Sequence, residues 1–184
     1  MNDKLYHINE ECIPNSFCDK IINNGESQTI EQAKLAYGNH ANRSSKISWI
    51  RNADKELQKT LNHFVQFSNK ESKWNYSITA FESLQYTIYN EGDFYNWHVD
   101  QLTPYENNTI RKLSFTLCLN DDYEGGDFEI CNPHPIPEYS TTTTFKLQKG
   151  DMIVFPSHIW HRVKPVTKGI RKSLVGWVVG TPFI

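Results

Sequence analysis

The sequence predicts a mainly β fold with flanking helices, an α+β arrangement in which the strands wind into a jelly roll. Three observations carry this expectation. Helical periodicity is confined to the N-terminal part of the chain, short β-rich runs follow one another from Lys73 onward, and turn signals separate those runs.

The first helix is expected over residues 15–24, where Phe17, Cys18, Ile21 and Ile22 share a side and Pro14 with Asn15 marks the start. A second is expected over residues 52–69. There Leu57, Leu61, Phe64 and Val65 recur at helical spacing, and Asn52 supplies a cap. Between the two, Gly38-Asn39-His40-Ala41-Asn42 reads as a loop and Lys46 to Ile50 as a strand. The later strands are expected over residues 83–89, 95–100, 112–119, 127–131, 143–147, 152–155, 160–164 and 172–179. Their separators are Glu91-Gly92-Asp93, Asp121-Asp122, Gly125-Gly126, the loop holding Pro133, Pro135 and Pro137, Gly150-Asp151 and Lys168-Gly169. The chain shows no internal repeat and no linker. One domain is therefore expected over residues 1–184, with helical support over about 1–72 and the jelly-roll core over about 73–184.

Composition narrows the function. A formal net charge of −2 sets up no general basic field, so neither nucleic acid nor an anionic membrane is an expected partner. No apolar run approaches the ~20 residues that span a bilayer, and the N-terminal stretch has no apolar signal region. Four cysteines without a C-x-x-C pair suit reduced thiols, hence a cytoplasmic location. The oligomeric state is left open.

The chemistry is carried by His98-Val99-Asp100, with His161 and Arg171 further along. H-x-D by itself arises readily by chance. Strand geometry gives it meaning, because residues two apart face the same way, so His98 and Asp100 project together while Trp97 and Val99 project oppositely. His161 shares a face with Val163 and Pro165, opposite Trp160, Arg162 and Lys164. Two imidazoles and a carboxylate on one side of an iron(II) ion leave open positions for a cosubstrate and O2. In the last strand Arg171, Ser173, Val175 and Trp177 share one parity. An inward arginine is costly unless it meets an anion, and a keto-acid carboxylate would serve, shared with a phenol from the Tyr86, Ile88, Tyr89 run. Each residue also has a plainer reading. Tyr89 could be a core aromatic, Ser173 strand surface, Arg171 half of an ordinary ion pair, and His158 in the Pro156-Ser157-His158 turn competes with His161.

The stretch from Leu84 to Asp100, with its Tyr89-Asn-Glu-Gly-Asp-Phe-Tyr-Asn-Trp-His98-Val-Asp100 end, resembles iron(II)/2-oxoglutarate dioxygenases of the prolyl-4-hydroxylase-like class, in particular the PKHD-type hydroxylases. Arg111-Lys-Leu-Ser, Asp122-Tyr-Glu-Gly-Gly-Asp127, Lys149-Gly-Asp151, Phe155-Pro-Ser and the run from His161 to Ser173 resemble the same group in order and spacing. The resemblance implies a double-stranded β-helix with the N-terminal helices packed on one sheet. It implies His98, Asp100 and His161 on Fe(II). It also implies Arg171 on the C5 carboxylate of 2-oxoglutarate with Tyr89 beside it, Ser173 as part of an R-x-S cosubstrate motif, and Thr116 and Cys118 in the pocket wall. Some relatives carry tyrosine at the Cys118 position, so one hydrogen bond to the carboxylate is missing here or supplied elsewhere. Trp177 would wall the inner end.

The implied activity is hydroxylation of an unactivated C–H bond with 2-oxoglutarate and O2 as cosubstrates, ascorbate as reductant, and release of succinate and CO2. Asp100 favours hydroxylation over halogenation, which leaves that position to chloride. The substrate is a peptide, protein or small molecule, with a prolyl residue suggested by analogy. Arg43 and Lys46 in the 42–46 loop, Trp49, residues 101–109 and residues 133–144 are the candidates for its mouth. The rival readings are a non-catalytic metal- or ligand-binding jelly-roll module and a metal-free lectin-like sandwich.

Overall fold

Alternation of side chains across one large antiparallel sheet gives this protein two apolar layers, one on each face. The computed structural model describes residues 4–33, 42–50, 55–101, 103–105 and 107–182; the expected loop centre at residues 38–41 and the expected cap Asn52 lie outside the described residues. The elements run β1 (His7–Asn9), α1 (Asn15–Ser27), β2 (Glu31–Gln32), β3 (Arg43–Ser44), β4 (Lys46–Ile50), α2 (Lys55–Glu71), β5 (Ala80–Phe81), β6 (Leu84–Tyr89) and β7 (Phe94–His98). After them come β8 (Ile110–Cys118), β9 (Glu124–Gly125), β10 (Phe128–Asn132), β11 (Thr141–Phe145), β12 (Met152–Pro156), β13 (His161–Val163), β14 (Val166–Lys168) and β15 (Arg171–Gly180).

The large sheet has the order β1-β12-β8-β15-β6-β4-β2, with β5 added alongside β15. A smaller sheet, β11-β10-β13-β7-β3, faces it, and β9 pairs with β14 in a separate ribbon. The chain crosses between the two sheets from β6 to β7, from β7 to β8, from β11 to β12 and from β12 to β13, the kind of crossing that makes a jelly roll.

On the outer face of the large sheet, Leu84, Tyr86 and Ile88 of β6, Leu113, Phe115 and Leu117 of β8, Met152 and Val154 of β12, and Leu174 and Val178 of β15 form one buried cluster. Cys18 and Ile21 of α1 and Leu57, Leu61 and Val65 of α2 complete it, so both helices lie on this one sheet. Glu56 in the first turn of α2 and Lys70 in the last complement its dipole. Helix α1 starts where Pro14 presents its carbonyl to the Phe17 and Cys18 amides, and runs three residues beyond the expected end. It approaches the sheet so closely that a Cβ on Gly25 would sit 2.3 Å from the Tyr86 ring, which explains a glycine inside a helix.

The inner face carries Tyr89, Cys118, Ile153 and Phe155, packed against Phe128, Ile130, Phe145 and Val163 from the smaller sheet side. The odd and even residues of β6, β8, β12 and β15 therefore serve different layers, as a period of two requires. Among the described residues no helix is long and apolar enough to cross a membrane.

Candidate metal centre and cosubstrate site

Strands β7 and β13 are neighbours, and His98 and His161 stand directly opposite each other in the ladder. Each imidazole is oriented by its own strand. His98 Nδ1 donates to the Asn96 carbonyl at 2.7 Å, and His161 Nδ1 to the Ile159 carbonyl at 2.9 Å. A carbonyl only accepts, so Nδ1 carries a proton in both rings and Nε2 is the nitrogen left to face the carboxylate. Asp100 lies just past the end of β7. The Asp100 and Gln101 amides both donate to the Ser157 carbonyl, at 2.9 and 2.8 Å, which ties this turn to the one that leads into His161. The Asp100 carboxylate then stands 3.7 Å from His98 Nε2 and 3.5 Å from His161 Nε2. One ligand atom from each of the three residues falls within 4.8 Å of the others.

Electrostatics match the geometry. Burial, reinforced by His161, pushes the His98 imidazole down to about 3, so it is neutral at physiological pH. Burial alone would raise the Asp100 carboxyl, but His161 and His98 outweigh it and hold the group below the usual carboxylate range. Two imidazole Nε2 atoms and one carboxylate are a donor set that fits a first-row divalent ion and leaves coordination positions open. His158, the rival third ligand, is exposed in its turn and stands outside this cluster.

At the start of β15, Arg171 pairs in register with Tyr89 and is only 1% exposed. Its Nη1 donates to Ser173 Oγ at 3.1 Å, its guanidinium lies 5.4 Å from the Tyr89 ring centroid, and its Nε has no partner. Among the described residues no ion pair involves Arg171. A buried cation with an orphaned donor and no carboxylate calls for an anion from outside the chain. A cavity of about 340 Å³ joins it to the triad, lined by Tyr89, His98, Asp100, Thr116, His161, Arg171, Ser173 and Trp177 among others.

The 2OG-Fe(II) oxygenase superfamily model matches residues 84–179, a span that holds the triad, Arg171 and Ser173. The chain belongs to this superfamily. A PKHD-type hydroxylase of Synechococcus sp. (strain CC9311) is 30% identical over 95% of this chain and 78% of its own length. Another, from Idiomarina loihiensis, is 38% identical over 49% of this chain and 38% of that protein. Among solved structures, the viral collagen prolyl hydroxylase of Paramecium Bursaria Chlorella virus-1 has the same fold, with a TM-score of 0.72 at 19% identity and 97% coverage of both chains. A Pseudomonas putida prolyl-4-hydroxylase gives 0.70 at 18% identity over 95% of this chain and 91% of its own. The protein is thus an iron(II)- and 2-oxoglutarate-dependent hydroxylase that uses O2, and the non-catalytic and lectin-like readings fall away.

Within this oxygenase, several expected residues stand elsewhere than the sequence suggested. Cys118 is not in the cavity wall. Its thiol is turned to the Asn120 carbonyl at 3.1 Å and lies 3.6 Å from the Tyr123 hydroxyl. Trp177 lines the cavity, but away from Arg171. Six residues along β15 separate it from Arg171, roughly 20 Å of strand, and its ring sits under Arg111 at 4.1 Å and beside Trp49 at 6.5 Å. Tyr86 faces the helices and donates to Glu26, so of the two tyrosines only Tyr89 faces Arg171. Lys46 is exposed on the β4 parity that turns away, whereas Asn42, Arg43 and Trp49 do line the cavity.

Other site residues went unseen in the sequence. Tyr95 stacks on His98, with centroids 3.5 Å apart, and Arg43 covers its ring at 4.5 Å. Simple alternation puts Tyr95 on the face opposite His98. The ladder, however, pairs His161 with His98 and Val163 with Tyr95, so β7 holds one residue more than β13 over the same span. That bulge turns Tyr95 inward. Ser114 and Ser157, both fully buried, bond each other at 2.9 Å behind Asp100, where Ser114 also helps keep the carboxylate charged. Arg111 makes a two-pronged pair with Glu82, at 2.8 and 2.6 Å.

Proposed function

We propose that His98, Asp100 and His161 hold the iron(II), that Arg171 with Ser173 holds the distal carboxylate of 2-oxoglutarate, and that the substrate hydroxylated is a peptide, at a prolyl residue. The observation that carries the assignment of roles is the buried, unpaired Arg171 guanidinium sharing one cavity with three metal-ready side chains.

Each residue then has a physical task. The backbone carbonyls of Asn96 and Ile159 fix both imidazoles with Nε2 inward, so the metal site needs little reorganisation. Ser114 and Ser157 position the Asp100 carboxylate. Arg171 presents a charged fork whose desolvation has already been met on folding, and Ser173 fixes that fork's angle. Tyr89 and Thr116 line the space between and keep bulk water from it. The bound iron supplies, with 2-oxoglutarate and O2, the oxidation that places hydroxyl on a C–H bond and releases succinate and CO2.

A peptide is supported by the mouth. Trp49, Tyr95 and Trp177 give it apolar walls, and Arg43 and Arg111 sit over two of those rings. Such ring surfaces suit the compact apolar face of proline. The fold is also that of a Trichoplax adhaerens prolyl hydroxylase solved with a peptide fragment, at a TM-score of 0.72, 20% identity, and 96% and 84% coverage of the two chains. The test is to incubate iron-loaded protein and 2-oxoglutarate with proline-containing peptides and, separately, with small-metabolite pools. The expected result is stoichiometric succinate and a product heavier by one oxygen on a peptidyl proline. An oxygenated free metabolite with unmodified peptides would overturn the substrate assignment.

A further inference from the structure

The roles assigned so far leave a second cavity unused. It has a volume of about 330 Å³ and lies between the loop after β8 and the segment after β11, bordered by Tyr123, Gly126, Phe128, Leu147 and Arg171. Arg171 borders both this cavity and the one that holds the triad. The guanidinium therefore stands at a boundary, and an acid held there needs an end stop if its length is to be defined.

Tyr123 is placed to be that stop. A Cβ built on Gly126 would meet the Arg171 Cδ at 3.0 Å and the Tyr123 Cε2 at 3.3 Å, so the arginine stem and the tyrosine ring pass side by side over one glycine. Gly126 has φ +62° and Gly125 φ +71°, a left-handed pair that holds the loop against this spot and leaves no room for a side chain. The Tyr123 hydroxyl lies 3.6 Å from Cys118 Sγ, and Cys118 is the ladder partner of Ser173, two residues from Arg171. A short cysteine on β8 leaves space next to the guanidinium, and the phenol enters that space from the loop. Tyr123 packs on the same apolar cluster as Tyr89 and Phe128.

We propose that Tyr123 closes and gauges the distal end of the cosubstrate chamber. Its phenol shares the distal carboxylate with Arg171, and its ring keeps the chamber apart from the 330 Å³ cavity, so that a five-carbon 2-oxo-diacid fits and a six-carbon one does not. This rests on the placement of 2-oxoglutarate at Arg171 given above.

Calorimetric titration of Mn(II)-loaded protein with 2-oxoglutarate and with 2-oxoadipate tests it without turnover. Wild-type protein is expected to prefer the shorter acid by roughly tenfold or more, the discrimination one extra methylene allows in a closed pocket. Tyr123→Phe is expected to bind 2-oxoglutarate about tenfold more weakly, the loss of a hydrogen bond to a charged group, while keeping the preference. Tyr123→Ala opens the wall and brings the two affinities to within about threefold of each other. Tyr123→Leu retains apolar bulk should the alanine variant fold poorly, and it too is expected to lose the preference. A wild-type ratio of affinities in both truncations, or wild-type affinity in Tyr123→Phe, would overturn the role of Tyr123 alone. No binding of 2-oxoglutarate to wild-type protein would overturn the chamber itself along with it.

Discussion

The two faces of the large sheet are built from the same strands and each carries an apolar layer, yet only one of them also buries a polar set. Toward the helices, β6, β8, β12 and β15 present Leu84, Ile88, Leu113, Phe115, Leu117, Met152, Val154, Leu174 and Val178. Toward the smaller sheet the same strands bury Gln85, Thr87, Ser114, Thr116, Arg171 and Ser173, each at 5% exposure or less. The first face shows that these strands fold with apolar residues throughout. The polar set on the second is therefore not required by the sheet, and burying it works against stability unless a ligand answers it. The helix face serves packing alone; the inner face adds to its packing the polar set proposed to meet a metal and an anion.

That contrast can be broken at either face. The largest effect is expected from His161→Ala, which removes one of the three proposed metal donors and is expected to abolish tight iron binding in equilibrium dialysis. His158→Ala retains most of it, and equal loss from both would remove His161 from its special place. Next comes the helix face, where Leu61→Ala is expected to lower unfolding stability by about 2–5 kcal/mol in denaturant titrations, with 2-oxoglutarate affinity unchanged in the folded fraction. Arg171→Ala reverses this pattern. It is expected to raise the 2-oxoglutarate requirement at least tenfold, from a charge-assisted pair worth ~1.5–3 kcal/mol, while thermal stability holds or rises because an unanswered buried cation has gone. Smallest is Tyr86→Phe, which loses only the hydroxyl on Glu26, about 0.5–1.5 kcal/mol, and leaves cosubstrate binding untouched. A change in cosubstrate affinity there would mean that the two faces are not separate.

Much of this was legible in the sequence because a strand's period of two is a strong signal. The Arg171–Ser173–Val175–Trp177 parity and the helix stripe through Leu57, Leu61 and Val65 reach their observed faces, whereas Asp100 lies just past the end of β7 and is set by the turn bonded to Ser157. Strands β2, β3, β5 and β9 are two residues long, too short for any periodicity to show, and their pairing is decided by the sheets they border. The inward turn of Tyr95 depends on a bulge whose extra residue has no composition marker. Tyr123 reaches Arg171 from a loop, where alternation says nothing about direction. Parity also gives a face but no distance along the strand, so it could not tell that Trp177 lines the cavity well away from Arg171.

The central claim is that the polar face of the large sheet and the β7–β13 wall bind a metal and a 2-oxo-diacid in one cavity. A crystal structure of the protein with Mn(II) and 2-oxoglutarate tests it most directly. The metal is expected within coordination distance of His98 Nε2, Asp100 and His161 Nε2, and the distal carboxylate against the Arg171 guanidinium. Metal on other residues, or a carboxylate bound away from Arg171, would contradict it.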